Sequence, residues 1–339
     1  MEQKALRVST LVIVCALTLR LLSTGVINFT LSPKAVSWMI FLQTGRLVRP
    51  GNIIFSPPAT NPAPDITPEP TEPPPKPTEP STPIGPAQPI LPTFSPSAAD
   101  NLKINCSFSY SADIPKLLTQ PLTWKLTGAE PTVLIVHSHG SESFAPDGTY
   151  QETSPYHTLD TDHNMISIGK RVAELLQAAG ISVIQDTTLH DNPSYNAAYN
   201  NSRESIQKYL QAYPSIQLVL DLHRDAIEDQ NGNQIVQTVF SQGTTLAPLM
   251  FVVGTDYGGL NHPQWQENLA LALKLQTQLE QLCPGLCRNI NLRSQRFNQD
   301  LSNGTMLVEI GSSGNTHQEA QRAAEMLAMG IISLAHGSL

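Results

Sequence analysis

At 339 residues the chain exceeds one typical domain, yet 16 of its 28 prolines fall between residues 56 and 96, a span that cannot pack a core. The net charge of -8, with no long basic run, argues against a nucleic-acid partner, which needs clustered Lys and Arg. Four cysteines are too few for a disulfide scaffold.

Residues 1–7 read as a cytoplasmic tail and residues 8–29 as a transmembrane anchor, mostly apolar and about the 20 residues a bilayer requires. Lys4 and Arg7 ahead of it favour an inside N-terminus, and Arg20 is long enough to snorkel. A cleaved signal peptide with its apolar centre at residues 11–19 is the competing reading; no A-x-A-like site follows, which favours a retained anchor. Either way the remainder lies outside the cytoplasm, and the favoured retained anchor holds it at the cell membrane by a single pass. In the juxtamembrane segment 30–55, residues 35–42 are too short to span again and suit the membrane surface, with Arg46 and Arg49 near head groups. Residues 56–99 form a proline-rich linker whose P-T-E-P and P-P-P-K-P units favour extended, semi-rigid polyproline.

From Asp100 to the end the pattern is globular, with strands and helices in alternation. Residues 133–136 suit a strand buried on both faces. An amphipathic helix over 165–179 is ended by Gly180, and a short strand follows at 181–184. A helix over 202–213 stops at Pro214, and a strong strand at 216–222 runs into His223-Arg224-Asp225. Asn231-Gly232-Asn233 marks a turn, 250–253 a strand, 265–282 a long helix and 306–310 a last strand. The T-x-x-E box from Thr316 to Glu319 opens a final helix with Ala320, Ala323, Ala324, Leu327 and Ile331 on one face. This order predicts an α/β domain over 100–339, a mainly parallel sheet with helices on both faces.

Three strand ends carry chemistry: His137, His139 and Glu142; then His223, Arg224 and Asp225; then Glu309. In a parallel sheet these ends share one edge, where α/β proteins bind ligands. His139, Glu142 and His223 supply the two imidazoles and carboxylate of a catalytic zinc site, with a fourth position left for water. Glu309 is the candidate acid/base; its bland alternative is a carboxylate receiving the N–H groups of residues 311–314. His137 and His139 are expected to face apart, so that one alone meets the metal. The His-x-x-Glu spacing selects His139, leaving His137 to support it or contact substrate. Arg224 is a candidate fork for a substrate carboxylate, or else an internal partner of Asp225 or Asp221. His190-Asp191 and residues 195–203 form a polar patch suited to sugar or peptide, or simply a capped helix start. Cys283 and Cys287 are either a small disulfide or two thiols in a turn. No G-x-S-x-G elbow or nucleotide-binding glycine loop is present.

The stretches L-I-V-H-S-H-G-S-E-S-F, D-T-T-L-H-D-N-P-S-Y-N-A-A-Y-N-N-S-R, L-V-L-D-L-H-R-D-A, F-N-Q-D-L-S and L-V-E-I-G-S-S-G-N-T resemble, in order, the stage II sporulation protein P family of endospore-forming Firmicutes. The resemblance covers nearly all of the chain after Asp100. It implies a zinc-dependent peptidoglycan hydrolase related to N-acetylmuramoyl-L-alanine amidases, with endopeptidase activity on cross-links, working at the septum during engulfment with the sporulation proteins D and M. Carried over, the family's metal and catalytic positions are His139 with Glu142, His223 and Glu309. Ordinary amidases of the superfamily take a zinc ligand from a Glu at the start of the first helix; here that place reads His163-Asn164, and the first motif reads H-S-H-G where H-T-H-T is expected. A catalytically inactive wall-binding scaffold and a secreted metallocarboxypeptidase are the rival readings.

Overall fold

The computed structural model describes residues 94–122 and 124–337. The expected anchor, juxtamembrane segment and most of the linker lie outside the described residues. Among the described residues no helix is long and apolar enough to cross a membrane. Packing extends upstream of Asp100: Phe94 is buried, its N–H donates to Leu118 O, and Ser95 caps a short 3-10 helix, Pro96–Asn101.

The core is a seven-stranded sheet formed by β1 (Ile104–Asn105), β2 (Val133–Val136), β3 (Val183–Gln185), β4 (Leu218–Asp225), β7 (Leu249–Gly254), β8 (Ile290–Arg293) and β9 (Thr305–Ser312). β5 (Val239–Ser241) and β6 (Thr244–Leu246) form a separate antiparallel hairpin. The sheet order is β1-β8-β7-β9-β4-β2-β3, and every pair is parallel except β7 with β9. β2, β4 and β9 therefore end at one edge, and β1, β7 and β8 end at the opposite one. β2 and β7 are buried along their whole length, as their unbroken apolar runs require.

Of the five helices among the described residues, α1 (Ile114–Thr119) packs against α4 (Trp265–Leu282), while α2 (Met165–Ala178), α3 (Ala198–Ala212), α4 and α5 (His317–His336) pack on the sheet. α2, α5 and α4 pack in sequence with one another. On the other face α3 puts Ile206 against Leu134, Val136 and Val219. Each such buried aliphatic side chain contributes about 1.5–3 kcal/mol. The expected capping box is formed: Thr316 accepts from Glu319 N, and Glu319 accepts from Thr316 N. Ala320, Ala323, Ala324, Leu327 and Ile331 are all fully buried.

Two boundaries differ most from expectation. α3 begins four residues before Ser202, because a 3-10 turn at Tyr195–Ala197 feeds directly into it. β4 continues past Leu222 through His223 to Asp225, since pairing with β9 holds those polar residues in the ladder. β1, β8 and α1 carry too few apolar residues to be visible in the sequence, and are held by ladder bonds and by packing against α4. Cys283 is buried, Cys287 is half-buried, and both are free thiols.

Candidate active site

The site begins with a register. His223 on β4 stands opposite Glu309 on β9, so their side chains leave one face of the sheet side by side. Leu307, two residues before Glu309, packs with Met250, Val252 and Tyr199, which identifies that face as the one under α3. Asp221, two residues before His223, shares it. His223 Nε2 is 3.0 Å from Asp221 Oδ1, and His223 Nδ1 is 3.5 Å from Glu142 Oε2.

His139 and Glu142 arrive from β2. The strand ends at Val136 and the chain turns, so the separation of His137 from His139 comes from that turn; on a continuous strand residues two apart would share a face. His139 packs its ring against Tyr195 and Tyr199, at centroid distances of 4.0 and 5.4 Å, and lies 5.4 Å from the ring of His223. Asp191 fixes the turn by accepting from Ser141 N and Ser141 Oγ. Asp221 fixes its start by accepting from Ser138 N at 2.8 Å and Ser138 Oγ at 2.6 Å.

The structure does not bring His137 to this rim. It is fully buried on the α2 face, with Nδ1 3.2 Å from Leu222 O and Nε2 3.1 Å from Gln185 Nε2. Burial pushes its pKa down to about 4, so it is a neutral packing residue without access to substrate. Gly169 of α2 makes this possible: a Cβ there would stand 2.4 Å from His137 Nε2.

Arg224 is not a free fork either. It is 5% exposed, Nε donates to Ser143 O, a terminal nitrogen donates to Tyr156 O, and another lies 3.8 Å from Glu142 Oε1. Its charge partner is Glu142 rather than Asp221 or Asp225; Asp225 pairs with Arg288 at 2.6 Å. Burial alone would raise the pKa of Glu142, but Arg224 and then His223 outweigh it and hold the carboxyl down at about 2.

The bland alternative for Glu309 fails on its partners. Gly311 N donates to Pro248 O, Ser312 N to Asn315 Oδ1 and Ser313 N to Asp225 O, leaving none of these for Glu309. Burial instead pushes the Glu309 carboxyl up to about 8. Asp221 is pulled down to about 2, chiefly by His223, against the effect of burial. His223 is raised well above its usual range, because Asp221 and Glu142 overcome burial. Burial lowers His139, reinforced by His223.

Two buried polar atoms at this rim, His139 Nδ1 and Glu309 Oε2, have no hydrogen-bond partner among the described residues, while His223 Nε2 is taken up by Asp221. Leaving such groups unmet costs about 1–3 kcal/mol each. Two ligands each about 2.0–2.1 Å from a tetrahedral ion stand roughly 3.4 Å apart. The 3.5 Å between His223 Nδ1 and Glu142 Oε2 matches, and imidazole with carboxylate is a zinc-type donor set. The set fits a divalent ion in chemistry without being a closed cage: among the described residues no three such side chains converge as a preformed metal group. His163-Asn164, at the start of α2, stands apart from it: His163 Nδ1 is 2.9 Å from Asp160, and Asn164 caps α2.

The polar patch braces the site. Tyr195 and Tyr199 flank His139, Ser202 Oγ is 2.7 Å from Ser138 Oγ, and Arg203 grips Asp300 with two nitrogens. Sequence reasoning assigned no role to Ser138, offered Asp221 only as an internal partner of Arg224, and took Tyr195 and Tyr199 only as part of the polar patch. The available signals were D-x-H on one strand, which puts both groups on one face, and two tyrosines four apart at a helix start.

Fold and site together define an α/β protein with a composite His/Glu site at one carboxyl edge of its sheet. The sequence places it more narrowly. The chain belongs to the family Stage II sporulation protein P (SpoIIP), whose profile matches residues 77–332. It is 27% identical over 213 residues to stage II sporulation protein P of Bacillus subtilis (strain 168), an alignment covering 60% of this chain and 50% of that protein. The chain thus spans about half the length of the curated relative it matches. Among solved structures, an N-acetylmuramyl-L-alanine amidase from Mycobacterium smegmatis is 14% identical with a TM-score of 0.39, over 63% of this chain and 100% of that one. An N-acetylmuramoyl-L-alanine amidase from Clostridium difficile 630 is 16% identical with a TM-score of 0.37, over 62% and 99%.

Proposed function

We propose that this chain is a zinc-dependent peptidoglycan hydrolase, an N-acetylmuramoyl-L-alanine amidase with endopeptidase activity on cross-links. The reading extends to its setting: tethered at the membrane outside the cytoplasm, acting on septal wall during engulfment beside the sporulation proteins D and M. The observation that carries the chemistry is the pairing of His223 with Glu309 in one register step, beside Glu142 and His139. His139, Glu142 and His223 would hold the ion, and Asp221 would orient His223 from behind, the usual carboxylate–histidine support. A divalent ion held there supplies Lewis acidity toward the scissile carbonyl and toward a water molecule.

The chain's own residues do the rest. Glu309 in its ionised form takes a proton from the attacking water and returns it to the departing amine nitrogen, the base and acid roles open to one carboxyl standing beside His223. Arg224 keeps Glu142 ionised and pinned, and Tyr195 and Tyr199 fix the ring plane of His139. The test is incubation of the full chain with purified sacculi, with mass spectrometry of the soluble products. Stem peptides released with zinc and lost with chelator are expected; walls left intact at every metal loading would leave only the scaffold reading. Single C-terminal residues released from sugar-free peptides would favour the carboxypeptidase.

A further inference from the structure

The antiparallel step between β7 and β9 gives the sheet a second carboxyl edge, opposite the His/Glu site, where β1, β7 and β8 end. Crevices outside carboxyl strand ends are the usual ligand positions in such sheets. A cleft of about 680 Å³ opens there, lined by Asn105, Ser107, Asn291, Arg293 and Gln295 among others. Next to it Tyr257 stacks on Phe108, with ring centroids 4.3 Å apart and planes inclined by 18°.

Tyr257 uses one face to pin Phe108 and still leaves 61% of its surface in solvent. Its position is fixed rather than loose. Thr255 N and Thr255 Oγ1 both donate to Arg293 O, and Gly258 N donates to Ser294 O. A Cβ on Gly258 would come 2.5 Å from that same Ser294 oxygen, so glycine alone lets the tyrosine loop lie this close to the cleft wall. Of the three arginines around β8, Arg288 pairs with Asp225 and Arg296 with Asp300. Arg293 is exposed and has no ion pair among the described residues.

A rigid exposed aromatic face beside amides and an uncommitted guanidinium is chemistry for a sugar strand. The C–H faces of pyranose rings stack on the ring, N-acetyl groups meet the amides, and a carboxylate meets the guanidinium. We propose that this crevice is a second, non-catalytic glycan-binding site selective for strands already stripped of peptide, whose lactyl groups end in free carboxylates. The proposal deepens the wall-hydrolase reading and rests on its substrate class: hydrolysis of the muramoyl amide is the step that uncovers that carboxylate. The protein would then hold the strand it has cleared while its other edge works on the next peptide.

The experiment uses the full chain carrying Glu309→Gln, to prevent cutting, and fluorescence anisotropy with two labelled probes: peptide-free glycan strands and neutral N-acetylglucosamine oligomers. Tyr257→Ala should weaken both by about tenfold, the scale of one lost aromatic contact. Arg293→Gln should weaken the stripped strand alone. In the chain that retains Glu309, Tyr257→Ala should cleave a soluble muramoyl-peptide too short to reach the crevice at the parental rate. Glycan affinity unchanged in both variants, or no glycan binding by the parent, overturns the proposal. Glycan binding that depends on Tyr257 without cleavage of the soluble substrate would instead overturn the hydrolase reading and leave the crevice as a sugar site.

Discussion

His223 and Glu309 face each other across the β4–β9 ladder, and each reached that position from a strand that reads in sequence as plainly apolar. The pair brings together an imidazole raised by Asp221 and Glu142 and a carboxyl raised by burial. The first suits holding an ion once deprotonated, and the second suits moving a proton.

Glu309→Gln tests that division of labour. The amide keeps the shape but cannot exchange a proton, so hydrolysis of sacculi should fall by about 10²–10⁴-fold, the range of a lost general acid/base. Zinc content, measured by plasma mass spectrometry, should stay at the parental value. A variant that loses zinc as well would make Glu309 a ligand instead.

Asp221→Asn tests the support behind His223. Asp221 accepts two bonds from Ser138 and lies 3.0 Å from His223 Nε2, so the amide should keep the turn while weakening its hold on the imidazole. Zinc affinity, read by competition with a chromophoric chelator, should drop about 10–100-fold. Parental affinity would make the pair a matter of folding alone.

What the sequence made legible here follows from where the information is local. β2 is a buried run followed at once by His137, and β4 and β9 are buried runs that carry His223 and Glu309 near their ends, so both the strands and their chemistry show in a few adjacent letters. The role of Arg224 does not, because its partners Ser143 O and Tyr156 O lie 81 and 68 residues earlier in the chain. The spacing to Glu142 already selects His139 as the ligand, but the loss of His137 as a substrate contact comes from the turn after Val136 and from α2 closing over it. β7 reads as one more strand, and nothing within it announces that it runs antiparallel to β9.

Gly169→Ala sets two effects against each other. Alanine in a helix interior is worth about 1 kcal/mol over glycine. Its Cβ, however, would stand 2.4 Å from His137 Nε2 and 2.5 Å from Gln185 Nε2, and both side chains are committed to hydrogen bonds. Overpacking of that kind costs about 1–3 kcal/mol, so the clash should win and the net change be destabilising. Urea denaturation reads the sign directly; a variant more stable than the parent would mean that α2 moves away from β2 at little cost.

Lys274 gives a pH dependence far from the site. It is 1% exposed on α4, and its Nζ donates to Leu117 O and, at 2.8 Å, to Leu118 O near the end of α1. Burial pushes its pKa down from 10.5 to about 8. Below about pH 8 both folded and unfolded chains carry the proton, and the folded chain bears the full cost of a buried charge. Between about 8 and 10.5 the unfolded chain keeps a proton that the folded one has released, so this residue's contribution to stability rises with pH. From pH 7 to pH 10 the stability of the parent relative to Lys274→Met should therefore shift in the parent's favour by about 2 kcal/mol. Taking the difference between the two proteins cancels the contributions of all other groups. Parallel urea midpoints at both pH values would show that Lys274 stays charged throughout, held by the two carbonyls at the end of α1.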